Sequence, residues 1–462
     1  MVLQVRSPYN QRLLKEIPMQ SKEDAMLALE KAHSLFSDQS KWLPAWQRIE
    51  ILEKVVALMN TSIEALTNMA AEEGGKPYAD SKAEVLRAIS GVKLAAENIG
   101  RLTGEQIPMG INKASENRIA FTMREPIGVV LAICAFNHPL NLVIHQTVTA
   151  IAAGCPVIIK PASATPLSCL NFSAILTEAG LPESWCQVIV CKSEIAEELV
   201  ADKRVGYLSF IGSAKVGWYL RSILAPGTRC AFEHGGAAPV IVEKDADPTE
   251  LLPALLKGGF YHAGQVCVSV QRVFVHEAIC NIVAGQLAAL ATKLITGDPL
   301  DKNTEVGPMI NSAEVDRVEE WVNEAIEKGA TALCGGKRIS ANCYEPTVLL
   351  NPAADARVST HEIFGPVVCI YSYADRADAI KAANSLNLHF QAAVFTKDID
   401  VTLDCVKKLN ATAVMVNDHT AFRVDWMPFG GRDASGLGMG GIPYTMQEMT
   451  REKMMVIKSG VL

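Results

Sequence analysis

A chain of 462 residues, 49% hydrophobic and 20% charged, has room for two or three domains and is too apolar to be disordered as a whole. Its net charge of -7 is spread over interspersed acids and bases with no Lys/Arg block, which argues against a nucleic-acid partner. The longest apolar runs, 129–136 and 143–153, are too short or too polar to span a bilayer, and the amino-terminal residues lack a signal-peptide core.

In chain order, a short extended arm precedes Ser21-Lys22-Glu23-Asp24, which reads as a capping box opening an amphipathic helix to about Phe36. A second helical pattern covers 45–73 and stops at Gly74-Gly75-Lys76-Pro77; a third covers 81–100. Residues 105–123 alternate and turn polar, as a hairpin leaving the main body would. From Pro126 to Gly236 the pattern repeats strand, turn and helix, with strands at 128–135, 156–160, 187–191 and 207–210. That alternation predicts a parallel sheet covered on both faces. A second α/β stretch runs over 238–417, with strands near 272–276, 367–372, 392–396 and 413–416. Gly436-Leu437-Gly438-Met439-Gly440-Gly441 satisfies the dinucleotide fingerprint but follows a loop instead of a strand, so it reads as a structural glycine loop.

The twelve cysteines are scattered singly, without the CxxC spacing of a zinc site, and read mostly as small buried hydrophobes in a reducing, cytoplasmic setting. No metal is called for. Taken alone, Cys267 in Gly264-Gln265-Val266-Cys267 is one more buried cysteine, Glu233 a surface carboxylate and Asn137 a turn cap.

Together the segments say more. GQVC at 264–267, Glu233-His234-Gly235-Gly236 and Phe136-Asn137-His138-Pro139-Leu140 resemble three signatures of the aldehyde dehydrogenase superfamily, in the same order. Glu233 precedes Cys267 by 34 residues, the separation usual there. Lys160-Pro161, Phe210-Ile211-Gly212-Ser213, Glu362-Ile363-Phe364-Gly365-Pro366 and Pro428-Phe429-Gly430-Gly431 with Ser435-Gly436 extend the resemblance over nearly the whole chain, from about Ser7 to Lys458.

The resemblance implies that Cys267 attacks an aldehyde carbonyl to give a thiohemiacetal. The Asn137 side-chain amide and the Cys267 backbone N–H would stabilise its oxyanion, and Glu233 would activate the water that hydrolyses the thioester. It implies NAD(P) as cofactor, held by Lys160, Ser163, Gly212, Ser213, Val216, Gly217, Glu362 and Phe364. Ser163 stands where NAD-preferring members commonly carry Glu; a neutral residue there lifts the repulsion on a 2′-phosphate, so NADP should be accepted. Positions matching the substrate funnel are Arg87, Leu142, His145, Val266, Val268 and Arg423. The cationic and polar groups among them suggest a small hydroxylated or anionic aldehyde, as in the lactaldehyde, phosphonoacetaldehyde and semialdehyde branch. Ile211, Asp433 and Met439-Gly440 depart from the usual pattern at positions expected to lie away from Cys267, Glu233 and Asn137.

Members that pass the thioester to coenzyme A generally lack the carboxylate kept here as Glu233, and a non-catalytic relative would have lost Cys267, Glu233 or Asn137. The fold implied is α/β, with a modified Rossmann cofactor domain (1–104 and 124–234) and an α/β catalytic domain (235–435). A small β oligomerisation arm with the carboxy-terminal tail (105–123 and 436–462) would build a homodimer or homotetramer.

Overall fold

The computed structural model describes all 462 residues. Two mostly parallel sheets organise it. The first has six strands in the order Gly436–Leu437, Arg229–Glu233, Val205–Ile211, Val129–Ile133, Val157–Lys160 and Cys186–Val188, all parallel except Gly436–Leu437. Its central strand, VVLAI, is buried on both sides. Val129, Leu131 and Ile133 pack with the helices Lys22–Ser37 and Ser193–Val200, while Val130 and Ala132 face the helices Ala45–Thr61, Tyr78–Asn98 and Asn141–Ala153. The Val, Leu and Ile side chains among these each contribute about 1.5–3 kcal/mol by leaving water.

The second sheet has seven strands, Thr331–Cys334, Thr347–Leu350, Val367–Tyr373, Arg272–His276, Pro239–Val242, Gln391–Phe395 and Ala413–Val416, parallel except for the first pair. Its own buried cluster centres on Val240, Val273, Val368 and Ala393.

Local signals decide most boundaries. Ser21 accepts from the Asp24 N–H at 3.2 Å and Asp24 accepts from the Ser21 N–H at 2.9 Å, so the capping box is formed. The helix expected over 45–73 is broken into Ala45–Thr61 and Ile63–Gly74, because Ser62 leaves helical geometry and Thr61 donates its hydroxyl to Leu58 O at 2.8 Å. The third helix starts earlier than expected, at Tyr78 directly after Pro77. Arg229–Glu233 is a strand the sequence pattern does not reveal; its RCAFE is short and only Phe232 is buried. The amino-terminal arm is a hairpin of Val2–Arg6 and Leu13–Pro18.

Residues 105–123 do form a projecting β element. Gln106–Ile107 pairs with Arg118–Pro126, and the carboxy-terminal strand Thr450–Lys458 pairs along the full length of Arg118–Pro126. Met454, Met455, Val456 and Ile457 on that strand are exposed. No helix is long and apolar enough to cross a membrane.

What positions the site is the change of direction in the first sheet. From Val129–Ile133 the chain winds outward to Val157–Lys160 and Cys186–Val188, then returns to add Val205–Ile211 on the other side. A crevice opens at the carboxyl ends of the strands at such a switch point. Asn137, Lys160 and Ser213 all lie at or just beyond strand ends around it.

Candidate active site

The Phe136–Leu140 segment is pinned from below. The buried carboxylate of Glu84 accepts the N–H groups of Leu140 and Asn141 at 3.0 and 2.9 Å, capping the helix Asn141–Ala153, and is itself ion-paired with buried Lys76. Thr165 donates its hydroxyl to Phe136 O at 3.2 Å. Thus fixed, Asn137 donates its side-chain amide to Gln265 O at 2.9 Å, two residues before Cys267, which leaves its second amide hydrogen free. The backbone leading to Cys267 turns through three consecutive positive-φ residues, His262, Ala263 and Gly264. Gln265 anchors that turn by accepting the Ile310 N–H at 2.9 Å.

Three further hydrogen bonds bring the separated motifs together. Gly236 N–H donates to Cys267 O at 3.1 Å, tying the segment that carries Glu233 to the cysteine loop. His234 N–H donates to Ser435 O at 2.9 Å, and the Ser435 hydroxyl donates to Gly235 O at 2.8 Å. The glycines after Ser435 serve close backbone approach: a side chain at Gly436 would run into Phe232 O.

Cys267 is half-buried, against an apolar cluster of Val266, Val268, Phe390 and Phe429. Burial, reinforced by the Glu233 charge and opposed by Arg423, pushes its thiol up to about 12. The resting sulfur is therefore protonated. Burial also raises Glu233, again opposed by Arg423, so the carboxyl is tuned toward a proton acceptor of useful basicity.

Arg423 is the third member of this group. Its guanidinium lies 3.6 Å above the Phe429 ring, its Nε has no hydrogen-bond partner, and its Nη2 reaches only His145 Nδ1, at 3.4 Å. His145 Nε2 stands 2.8 Å from Asp425 Oδ1, and Arg87 grips the same carboxylate with Nη2 at 2.7 Å and Nε at 3.3 Å. Burial and then the Arg423 cation push His145 down to about 4, so it is neutral, donating from Nε2 and accepting at Nδ1. Burial opposes ionisation of Asp425, yet the His145 hydrogen bond and the Arg87 charge outweigh it and hold the carboxyl well below the usual range. Leu142 is buried in the first turn of its helix.

The crevice residues suit a dinucleotide. Lys160 has just one weak contact for its ammonium, Pro161 O at 3.4 Å, and Ser163 beside it is exposed and neutral. Gly212 and Ser213 precede the helix Ala214–Ser222, whose first turn has no side-chain cap and presents free N–H groups. Val216 is exposed on that turn, and Gly217 is needed because any side chain there would overlap His234. Glu362 rests against Gly235, with Oε1 buried and unpartnered; burial raises its carboxyl to about 8. Phe364, at φ 48°, meets Phe136 edge-on at 5.9 Å. No three His, Cys, Asp or Glu side chains are grouped to hold a metal ion.

Residues 1–455 match the model of the aldehyde dehydrogenase family. The chain belongs to that family. A 3-sulfolactaldehyde dehydrogenase of Priestia aryabhattai is 38% identical over 456 residues, 98% of this chain and 94% of that protein. The structure of glyceraldehyde-3-phosphate dehydrogenase from Methanocaldococcus jannaschii complexed with NADP superimposes with a TM-score of 0.94 at 36% identity, covering 99% of each chain. That of aldehyde dehydrogenase 21 from Physcomitrella patens, in complex with the reaction product succinate, gives 0.96 at 35%, covering 100% of this chain and 96% of that one. This aldehyde dehydrogenase is thus an NAD(P)-dependent oxidoreductase of mixed α/β fold.

Against the family pattern, two of the departures are not remote, as the sequence suggested. Ile211 pairs in register with Glu233. Gly440 lies directly against the Glu233 carboxylate, which a side chain at 440 would overlap, so its bareness makes the space the carboxyl occupies. Asp433 does stand apart, held by His389 at 2.7 Å. Sequence reasoning gives no role to Asp425 or Glu84, and shows Phe429 only as part of a motif and not as the ring under Arg423. Glu84 has a signal: it sits one turn before Arg87 on the same helix.

Proposed function

We propose that this enzyme oxidises a small anionic or hydroxylated aldehyde to its carboxylic acid with NAD(P), through a covalent intermediate on Cys267. The observation that carries the substrate class is Arg423, a cation with an unpartnered Nε lying close enough to Cys267 and Glu233 to act on the charge of both. A carboxylate or sulfonate tail would supply the acceptors that its guanidinium lacks. The Priestia relative named for a sulfonated hydroxyaldehyde and the moss structure holding succinate support the same class.

The thiol proton leaves to solvent as the Cys267 sulfur forms its bond to the aldehyde carbon. The second amide hydrogen of Asn137 and the Cys267 N–H receive the oxyanion; one such donor is worth about 3–4 kcal/mol of barrier. Lys160, Ser163, Gly212, Ser213, Val216, Gly217, Glu362 and Phe364 would hold NAD(P), which would supply the hydride acceptor for that carbon. Glu233 then removes a proton from the water that attacks the thioester, and the acid leaves as the thiol re-forms. Arg423 holds the tail, Leu142 and His145 line its path, and Arg87 acts on it through Asp425.

On this reading 1–104 with 124–234 is the cofactor domain, 235–435 the catalytic domain, and 105–123 with 436–462 the arm of a homodimer or homotetramer. The strand Thr450–Lys458, with Met454, Met455, Val456 and Ile457 exposed, is the edge a second subunit would cover. The twelve unpaired cysteines suit the reducing cytoplasm.

The test is initial rates with NAD and NADP on succinic semialdehyde, sulfoacetaldehyde, lactaldehyde, propanal and hexanal, with Cys267→Ser as blank. Faster turnover of the anionic or hydroxylated members, lost for the anionic ones in Arg423→Gln, is expected. Hexanal as the best substrate would overturn the substrate class.

A further inference from the structure

Arg87, His145, Arg423 and Asp425 form one connected group whose charges do not cancel. Arg87 spends Nε and Nη2 on the Asp425 carboxylate, and His145 donates to the same carboxylate while accepting from Arg423. Two guanidinium cations, one carboxylate and one neutral imidazole leave a single positive charge. Geometry puts that charge on Arg423, because Arg87 is matched oxygen for nitrogen by Asp425, whereas Arg423 is ion-paired with no carboxylate and the nearby Glu233 carboxyl is held toward its neutral form by burial. Asp425 is held in place by its own backbone, whose carbonyl accepts the Ile442 N–H at 2.8 Å.

We propose that Asp425 is the specificity-determining residue that neutralises Arg87 and so sets the site to accept an aldehyde whose tail carries one negative charge. This rests on the reading that Arg423 receives an anionic tail. A sulfonate or carboxylate matches the single uncompensated cation. A phosphate monoester in its doubly charged form leaves one charge unmatched inside a low-dielectric pocket, where the mismatch costs on the order of ten-fold or more in kcat/KM. Asp425 touches no substrate; it works by occupying Arg87.

The experiment compares kcat/KM for glyceraldehyde 3-phosphate and sulfoacetaldehyde, with propanal as uncharged reference, in three proteins. In wild type sulfoacetaldehyde is expected to lead. Asp425→Asn frees Arg87, and the phosphate-to-sulfonate ratio should rise on the order of ten-fold. Arg87→Met/Asp425→Asn returns the count to one cation, and the ratio should fall back to the wild-type value. A purely structural role for Asp425 would lower all three substrates alike and leave the ratio unmoved, which overturns the proposal. If Asp425→Asn does not fold, the wild-type enzyme still decides. Phosphate esters take up a second proton at about pH 6, whereas the sulfonate stays singly charged. Acidifying from about pH 7.5 to about 5.5 should therefore raise the ratio, and a ratio that stays flat or falls overturns it. A wild-type enzyme that prefers propanal to sulfoacetaldehyde would instead refute the anionic-tail reading itself.

Discussion

The resting state of Cys267 can be tested by removing, one at a time, the two strongest of the charges that act on it. Its thiol is pushed up to about 12, chiefly by burial, so at pH 8 the enzyme holds it as the thiol and only a small fraction is thiolate. Glu233 raises the thiol further and Arg423 lowers it. One unit charge at about 6 Å in an effective dielectric of about 20 is worth about 3 kcal/mol, or two pH units, at most. Solvent at this half-buried site reduces that, so a ten- to hundred-fold change in thiolate fraction is the expected range. The assay is the pseudo-first-order rate of Cys267 alkylation by iodoacetamide in the cofactor-free enzyme, followed against pH and mapped by peptide mass. In wild type log k should climb with unit slope from pH 7 through pH 10. Arg423→Gln should slow alkylation at fixed pH, and Glu233→Gln should speed it. A wild-type plateau near pH 8, or the same direction of change in both variants, would refute this arrangement of charges.

Three further outcomes follow from the same geometry. The Glu362 carboxyl, at about 8 when folded against an ordinary 4.5, binds a proton more tightly folded than unfolded. Its contribution to stability is therefore present below pH 4.5 and lost as pH rises through 8; a melting-temperature series over that window should fall with pH, and Glu362→Gln should flatten part of the slope. Gly440→Ala places a methyl against the Glu233 carboxyl and about 2.7 Å from Phe429 O, so the carboxyl must turn away. A stopped-flow burst of cofactor reduction should survive while steady-state turnover drops, because hydrolysis is the step deprived of its base. Ser163→Glu returns a carboxylate beside Lys160, and KM for NADP should rise about ten-fold or more while KM for NAD changes little; equal changes for both would sink the 2′-phosphate argument.

The Cys267 loop, Glu233 and Asn137 stand out in the sequence because each lies in a short contiguous motif, and the parallel sheets because their central strands are apolar, as in Val129–Ile133. Boundaries set by one side chain are less so. Nothing in the apolar periodicity of 45–73 shows that Thr61 and Ser62 redirect backbone hydrogen bonds and split the helix. Asp425 is invisible for another reason. Its partners Arg87 and His145 are 338 and 280 residues away, so a lone Asp in a loop gives no local hint that it collects both. Arg87 reads as a substrate-funnel residue; that two of its five N–H donors go to Asp425 is hidden for the same reason. Gly440 reads as remote because a departure from a motif shows which side chain is missing but not what fills the space. Folding places Glu233 there.

The most direct test of the covalent mechanism is the mass of the Cys267 peptide from Glu233→Gln, quenched after mixing with NADP and succinic semialdehyde. The mechanism predicts a succinyl thioester on Cys267 that accumulates because its hydrolysis lacks a base, and that is absent without cofactor. An enzyme that turns over with Cys267 unmodified, or with the acyl group on another cysteine, would contradict it.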